Sequence, residues 1–314
     1  MSALNELSQL KLRDGSTRSR LSHRQKSEER AGYAFMTPWI LGLIVITAGP
    51  MLASLYLSFT DYSFLESPSW VGLDNYVRLL EDNRFHQALR VTFEYVIISV
   101  PLQLIIALLV AMALDSGLRG MGLYRSAFYL PSLIGGSVAI AILWRQVFGA
   151  NGLVNQVLDW FGIEGMSWIA HPDTALGTLI ILNVWTFGAP MIIFLAGLRQ
   201  VPTMYYEAAA VDGASRLRRV WHITIPILTP IIFFNLILQL IGAFQAFTQA
   251  FIISGGDGSP SDSTLFYTLY LYMQGFGNFD MGYATAMAWV LVVIIGGFTA
   301  LNFVASKYWV FYDD

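Results

Sequence analysis

Long apolar runs alternate with polar segments along the chain, and six of the runs approach the roughly 20 residues that a helix needs to cross a bilayer. Backbone groups in lipid must be satisfied within the protein, which favours helices. The runs do not alternate at every second residue, as the strands of a membrane barrel would. The pattern therefore predicts an all-α membrane protein with six transmembrane helices, at about residues 34–59, 92–114, 124–147, 174–197, 227–253 and 283–304.

The membrane domain is residues 34–310 and contains a polar connection at 198–226. An N-terminal tail at 1–33 and a C-terminal tail at 311–314 flank it. The N-terminal tail is basic and is interpreted as a disordered topology signal, with a nucleic-acid-binding or lipid-binding arm as the alternative. If the amino terminus is cytoplasmic, 14 of the 18 Lys and Arg residues, Arg119 and Arg125 among them, fall on the inside. Both termini and the connection at 198–226 are therefore predicted to be cytoplasmic.

The composition of the chain excludes several kinds of chemical site. The chain is 55% hydrophobic and 12% charged, whereas about a quarter of a soluble domain is charged. It has no cysteine and four scattered histidines, so thiolate chemistry is excluded and no metal site is predicted. It has no P-loop for a nucleotide and no visible catalytic cluster, so it is not predicted to be an enzyme. Ionisable residues are scarce within the apolar runs, which argues against an ion-coupled carrier.

The segment EAAAVDGASRLRRVWHITIP at 207–226 is polar and well punctuated. Pro202 and Thr203 offer a helix start, with Thr203 as the N-cap candidate. Gly213 can adopt the left-handed conformation that ends a helix, and Ser215 can cap a second one. Two short helices with a sharp bend are predicted. Helices of this length need a partner to pack against.

The spacing E-A-A, three residues, Gly, nine residues, I-x-[LI]-P is present, with Ile in place of the usual Leu before the proline. It resembles the EAA loop of permease subunits of ABC importers. The stretches PWILG, FYLPSLI, ISGGDGSPSDST and NFDMGYATAMAW resemble the maltose-type and glycerol-phosphate-type carbohydrate branch. The resemblance implies a coupling helix docked on a separate ATPase, with the coupling residues Glu207, Ala208, Ala209, Asp212, Gly213, Arg216 and Pro226.

The resemblance also implies an assembly. The expected partners are a second homologous permease subunit, two ATPase subunits, an extracytoplasmic solute-binding protein, membrane lipid and a sugar, but no nucleic acid. No cofactor is expected in this chain, since ATP and Mg would be bound by the partner ATPase. The expected location is the cell membrane of a prokaryote, which is the inner membrane if the cell has two. The predicted function is ATP-driven import of a sugar or sugar-like solute; the alternatives are a secondary carrier acting without an ATPase, a membrane enzyme, and an ABC permease for an amino acid or anion.

Neutral amides predict a substrate path. The Asn and Gln residues of the fifth run are predicted to share one helix face, and amides with aromatic rings suit a neutral polyol. Hydrogen bonding between helices is the alternative role, and the sugar-holding subunit is this chain or its permease partner. The Gly- and Ser-rich loop at 254–264 is expected to be flexible and to lie near a docked binding protein, or to be a solvated connector. The path candidates are Asn183, Trp185, Asn235, Gln239, Phe244, Gln245, Gln249 and Trp289.

Overall fold

The computed structural model describes residues 23–63, 66–115 and 120–311. The chain divides into two units, with the boundary between Ser54 and Leu55. Residues 1–22 of the basic tail, Arg119 and the last three residues of the chain lie outside the described residues, so the interpretation of the tail as a topology signal stays a prediction there. From His23 onward the expectation of disorder is wrong, because the chain is helical.

The first unit is one long helical segment. It consists of α1 (His23–Gly42), a π-helix π1 (Leu43–Ala48) and the start of α2 (Gly49–Leu57). The π-turn comes directly before Pro50, which lacks an N–H to continue the α-helical pattern. The Gly49 N–H instead bonds to the Ile44 carbonyl. The part long and apolar enough to span a membrane is Gly32–Leu57, against the predicted 34–59.

The second unit is a helical bundle with one two-residue strand pair. Its strands are β1 (Thr60–Asp61) and β2 (Ser69–Trp70), which pair antiparallel. Its helices are α3 (Asp74–Glu81), α4 (Asn83–Leu114), α5 (Met121–Ile134), α6 (Val138–Val147), α7 (Leu153–Asp159), α8 (Pro172–Trp185), α9 (Gly188–Leu198), α10 (Thr203–Val211), α11 (Arg216–Arg219), α12 (Ile225–Phe244), α13 (Thr248–Ser254), α14 (Tyr267–Tyr272) and α15 (Met281–Trp309), with π-helices π2 (Val220–Thr224) and π3 (Met273–Gly277).

Helix α4 lies at the centre of this unit and packs against α8, α9, α12 and α14. Its buried residues recur every three or four positions, from Ala88 through Val96 and Val100 to Ala111, which is the spacing of one helix face. Large apolar residues such as Ile97 and Ile105 are exposed on the other side. A helix that is apolar all round fits a membrane environment.

The number of predicted spans is recovered, but the third span differs in shape from the prediction. Among the described residues, five helical segments are long and apolar enough to cross a membrane, and a bent pair, α5 and α6, makes a sixth. The single helix predicted at 124–147 is wrong, because α5 and α6 meet at an angle of 100°. The chain turns through Gly135 and Gly136, and the Ser137 hydroxyl starts α6 by accepting a hydrogen bond from the Ile140 N–H.

Two further predicted helices are interrupted. The fourth span divides at Thr186 and Phe187, and the fifth divides between Phe244 and Thr248. Asn83, where α4 begins, lies nine residues before the predicted start at 92, and α15 continues to Trp309, five residues past the predicted end at 304. These extensions are polar or amphipathic turns. A search for long apolar runs leaves such turns out of the predicted helices.

Candidate functional site

The elbow, residues 203–219, is the segment singled out by its EAA pattern. Pro202 is extended and precedes α10, so Thr203 is the first residue of the helix and the prediction that it is the N-cap is wrong. Gly213 has φ of +73°, a conformation that L side chains rarely adopt. Its N–H bonds to the Ala210 carbonyl, and the Ala214 N–H bonds to the Ala209 carbonyl at 2.9 Å. This pair of bonds ends α10 and turns the chain.

The second arm of the elbow begins at Ser215, whose hydroxyl accepts a hydrogen bond from the Arg218 N–H at 3.3 Å. It continues through π2 into α12. The π-turn again lies just before a proline, Pro226, and the Ile225 N–H bonds to the Val220 carbonyl. The two predicted helices and the predicted bend are therefore present, and the elbow is continuous with a membrane-spanning segment that runs from Arg216 to Ser254.

A hydrogen bond fastens the elbow to π2, and a groove lies beside the elbow. The Tyr206 hydroxyl lies 2.9 Å from the Thr224 hydroxyl. The Phe311 N–H donates to the Thr229 hydroxyl at 2.9 Å, which brings the end of the chain to the base of α12. Between these contacts lies an open groove of about 540 Å³, lined by Tyr205, Ala208, Ala209, Asp212, His222, Ile223, Pro226, Ile227 and Phe311.

The coupling candidates divide between this groove and the surface. Glu207, Gly213 and Arg216 are exposed. Beside them, two apolar side chains that the sequence interpretation did not select are also exposed: Val211 is 89% exposed and Leu217 is 69% exposed. An apolar residue on each side of the bend, close to charged neighbours in the sequence, was the available signal. Val211 and Leu217 give the elbow an apolar tip flanked by charges, a surface suited to a protein partner.

A polar cavity of about 160 Å³ lies at the α5–α6 bend, and we call it the break cavity. Its lining is Tyr95, Ser132, Gly135, Gly136, Leu179, Leu182, Asn183, Thr186 and Gln249. At about 30 Å³ per water it holds about five waters. No lining side chain carries a formal charge at neutral pH, so the cavity suits neutral hydroxyl groups.

Hydrogen bonds hold the walls of the break cavity together. The Ser132 hydroxyl donates to the Thr186 carbonyl at 2.8 Å and accepts from the Ala189 N–H at 2.8 Å. The Gln249 amide donates to the Gly135 carbonyl at 3.2 Å. Within the described part of the chain, the buried Asn183 Nδ2 has no hydrogen-bond partner. An unpaired buried donor is costly, so a hydrogen-bond partner for this amide would be favourable.

Only part of the predicted substrate path comes together. Asn183 and Gln249 line the break cavity, and Trp185 is half-buried and packs against Trp144. The expectation that the amides of the fifth run share one helix face is wrong, because α12 ends at Phe244 and Gln249 lies on α13. Gln245 is exposed at the interruption.

The remaining path candidates lie elsewhere. Asn235 is fully buried and donates to the Ile231 carbonyl of its own helix. Phe244 is 2% exposed and packs edge-on against Phe93, so it belongs to the core. Gln239 and Trp289 are half-buried. Sequence reasoning missed Ser132 and Thr186, although the small-residue run SLIGGS was a signal for a break.

At the opposite end of the bundle from the elbow, polar contacts join α3, α4, α14 and α15; we call this set the Asp82 cluster. The Asp82 carboxylate accepts hydrogen bonds from the hydroxyls of Tyr270 at 2.6 Å and Tyr283 at 2.7 Å. It also caps α4 by accepting from the Arg84 and Phe85 N–H groups. Burial raises the pKa of Asp82, but these donors outweigh it and the pKa is lowered. Burial, with the bond to Asp82, raises the pKa of Tyr270 to about 12.

Two ion pairs extend the Asp82 cluster. Arg78 pairs with Asp280 at 2.6 Å, and its guanidinium lies 4.1 Å from the centre of the Tyr283 ring. Arg84 binds Asp262 through two bonds of 2.6 and 3.0 Å. Asp262 belongs to the loop that was expected to be flexible at 254–264. The loop is instead fastened to the start of α4.

The chain is similar to a known family of transport proteins. Residues 80–307 match the family described as binding-protein-dependent transport system inner membrane component. The chain belongs to this family. As a member, it is an inner-membrane transport permease subunit, which agrees with the resemblance found at the EAA pattern.

Several relatives of the chain are similar to it over most of its length. It is 50% identical over 303 residues to the probable ABC transporter permease protein YesP of Bacillus subtilis (strain 168), with 96% of this chain and 98% of the relative covered. It is 34% identical to the lactose transport system permease protein LacF of Rhizobium radiobacter, with 88% and 94% covered.

A solved structure shares the fold. A chain of the bacterial alginate ABC transporter, crystallised in complex with an alginate pentasaccharide-bound periplasmic protein, has a TM-score of 0.80. The match covers 92% of this chain and 98% of that one at 22% identity. The all-α membrane fold predicted for this family member is thereby confirmed.

Proposed function

We propose that this chain translocates a sugar or sugar-like solute as one permease subunit of an ATP-driven importer. The observation that carries the proposal is the elbow: a capped, bent helix pair in a member of the transport family, exposed at its apolar tip and continuous with a membrane span. The family match and the similarity to sugar permeases support it. The chain would work with a second homologous permease and an extracytoplasmic solute-binding protein.

The energy for transport would come from two ATPase subunits that bind ATP and Mg. In this proposal the elbow faces the cytoplasm and docks on one ATPase, and both termini are cytoplasmic. Val211 and Leu217 would enter an apolar recess, with Glu207 and Arg216 beside them. Because α11 continues through π2 into α12, a push on the elbow is transmitted along the helix that leads toward the break cavity.

The docking role is tested with Val211→Asp and Leu217→Asp. Each places a charge in the proposed interface, so the amount of ATPase that co-purifies and the ATPase-driven uptake are expected to fall severely. Leu80→Asp is the matched control, since Leu80 is 74% exposed on α3 at the opposite end of the bundle. Normal ATPase binding by both elbow variants would exclude this docking surface.

The bend itself is tested with Gly213→Pro. Proline cannot adopt φ of +73°, so the elbow loses its shape and uptake is expected to be abolished while the chain still inserts. Gly213→Asn is the control, because asparagine tolerates the left-handed conformation. Full uptake in the proline variant would contradict coupling through the elbow.

The break cavity is the proposed place of contact with the solute, and its uncharged amides and hydroxyls favour a neutral polyol. Asn183→Leu removes the unpaired amide and is expected to weaken stimulation of ATPase activity across a panel of sugars. Asn302→Leu is the control, since the Asn302 amide bonds to the Phe298 carbonyl of its own helix.

If uptake by the chain alone follows an ion gradient and needs no ATPase, the chain is a secondary carrier and the proposal fails.

A further inference from the structure

The excursion between α6 and α8, residues 148–171, carries an apolar face that no described residue covers. Leu153, Val157, Trp160 and Phe161 are exposed, Trp160 by 81% and Phe161 by 74%. Their spacing of four, three and one residues places them on one side of α7 and its last turn. Asn155 points to the opposite side and is buried.

This face is presented by a folded scaffold. The Asn155 amide donates to the carbonyls of Ala150 at 2.7 Å and Met166 at 2.8 Å. Its oxygen accepts from the Trp168 indole N–H at 2.7 Å. Asn155 thus ties both ends of the excursion together behind α7. Contiguous exposed apolar side chains on a fixed scaffold indicate an interaction surface.

The scaffold is fastened beside the end of a membrane span. The Thr174 hydroxyl, in the first turn of α8, donates to the Trp168 carbonyl at 2.6 Å. The segment from Pro172 to Leu198 is long and apolar enough to cross a membrane. The excursion therefore lies beside the end of this segment, at the level where the bilayer begins.

We propose that α7 is an interfacial membrane anchor whose apolar face lies among the lipid headgroups and upper acyl chains. Tryptophan is enriched in this layer, and amphipathic helices bury their apolar side about 5–10 Å into it. Gln156 and Asp159 are exposed on the polar side of the same helix and face water or headgroups. The proposal rests on membership of a membrane family and is independent of the sugar function.

Single-cysteine labelling tests this anchor, because the chain has no cysteine of its own. Val157→Cys and Phe161→Cys carry a nitroxide on the apolar side, and Asp159→Cys is the control on the polar side. The full-length chain, in the transporter with which it co-purifies, is placed in liposomes of phosphatidylethanolamine and phosphatidylglycerol. Oxygen, which concentrates in lipid, is expected to relax the labels at 157 and 161 more than a water-soluble nickel chelate does, with the reverse at 159.

Every other pattern overturns the proposal. Stronger relaxation by the nickel chelate at 157 and 161 means that the face is in water, and exclusion of both reagents means that a protein covers it. A label-free measurement guards against a misfolded variant. Brominated lipids are expected to quench the wild-type tryptophan fluorescence by a larger amount than that of Trp160→Phe, whereas equal quenching removes Trp160 from the lipid.

Discussion

The Asp82 carboxylate joins four elements at once, so removing it has a calculable cost. Asp82→Ala deletes the N-cap of α4 and the acceptor for two tyrosine hydroxyls. Loss of an N-cap costs about 0.5–2 kcal/mol, and each hydrogen bond to a charged group contributes about 1.5–3 kcal/mol. Asp82 is only half-buried, which places each contribution at the low end of its range. The expected loss is roughly 3.5 kcal/mol.

The effect is measured by tryptophan fluorescence during thermal unfolding of the purified chain. A loss of about 3.5 kcal/mol lowers the apparent Tm by roughly 5 °C in a protein of this size. Tyr283→Phe removes one of the two hydroxyl bonds and is expected to cost about half as much. Asp74→Asn is the control, since Asp74 is exposed in the first turn of the neighbouring α3.

Two results would contradict this account of Asp82. If the apparent Tm of Asp82→Ala lies within roughly 1–2 °C of that of Asp74→Asn, the carboxylate does not join the elements as described. If Asp82→Ala and Tyr283→Phe lower the Tm additively, the hydroxyl and the carboxylate do not act through a shared bond, because interacting partners show a coupling energy.

Three further predictions concern the same unit. The pKa of Asp82 lies below its ordinary value of 3.8 in the folded chain, so its contribution is complete above pH 3.8 and is lost as the pH falls through the folded pKa; thermal scans in acid are expected to converge for wild type and Asp82→Ala. Arg84→Glu or Asp262→Arg alone is expected to expose the loop at 254–264 to protease, and the double exchange to protect it again; unchanged cleavage in the single variants would show that this pair does not hold the loop. Gly135→Val is expected to destabilise by about 1–3 kcal/mol, because a Cβ there collides with a side chain across the bend, whereas the matched Gly136→Val meets nothing within 4 Å; equal Tm values for the two would contradict that packing.

The spans were predictable because lipid demands apolar side chains at every exposed position. The bend at Gly135 and Gly136 was not, since average apolarity carries no information on direction. The interruption after Phe244 was not predicted for the same reason. The prediction of a single amide face that includes Gln249 was therefore wrong as well. Break positions depend on bonds between distant segments, such as that from the Gln249 amide to the Gly135 carbonyl.

The elbow was predicted closely because its determinants are local. Gly213 and Ser215 act on their immediate neighbours, and the bonds that they make lie within a few residues. The groove behind it was not predictable, because it forms only when Phe311 returns to the base of α12. The Asp82 cluster also depends on partners about 200 residues apart in the chain.

The wide turn Val220–Thr224 means that the path from elbow to membrane contains one residue more than an α-helix requires. Deleting one residue there would remove the wide turn, and the faces on either side would keep their orientation, although Pro226 would still lack an N–H to donate. The same deletion a few turns later, within α12, would rotate all that follows by about 100° and shorten the rod by about 1.5 Å. Tolerance to shortening is therefore concentrated in this one turn.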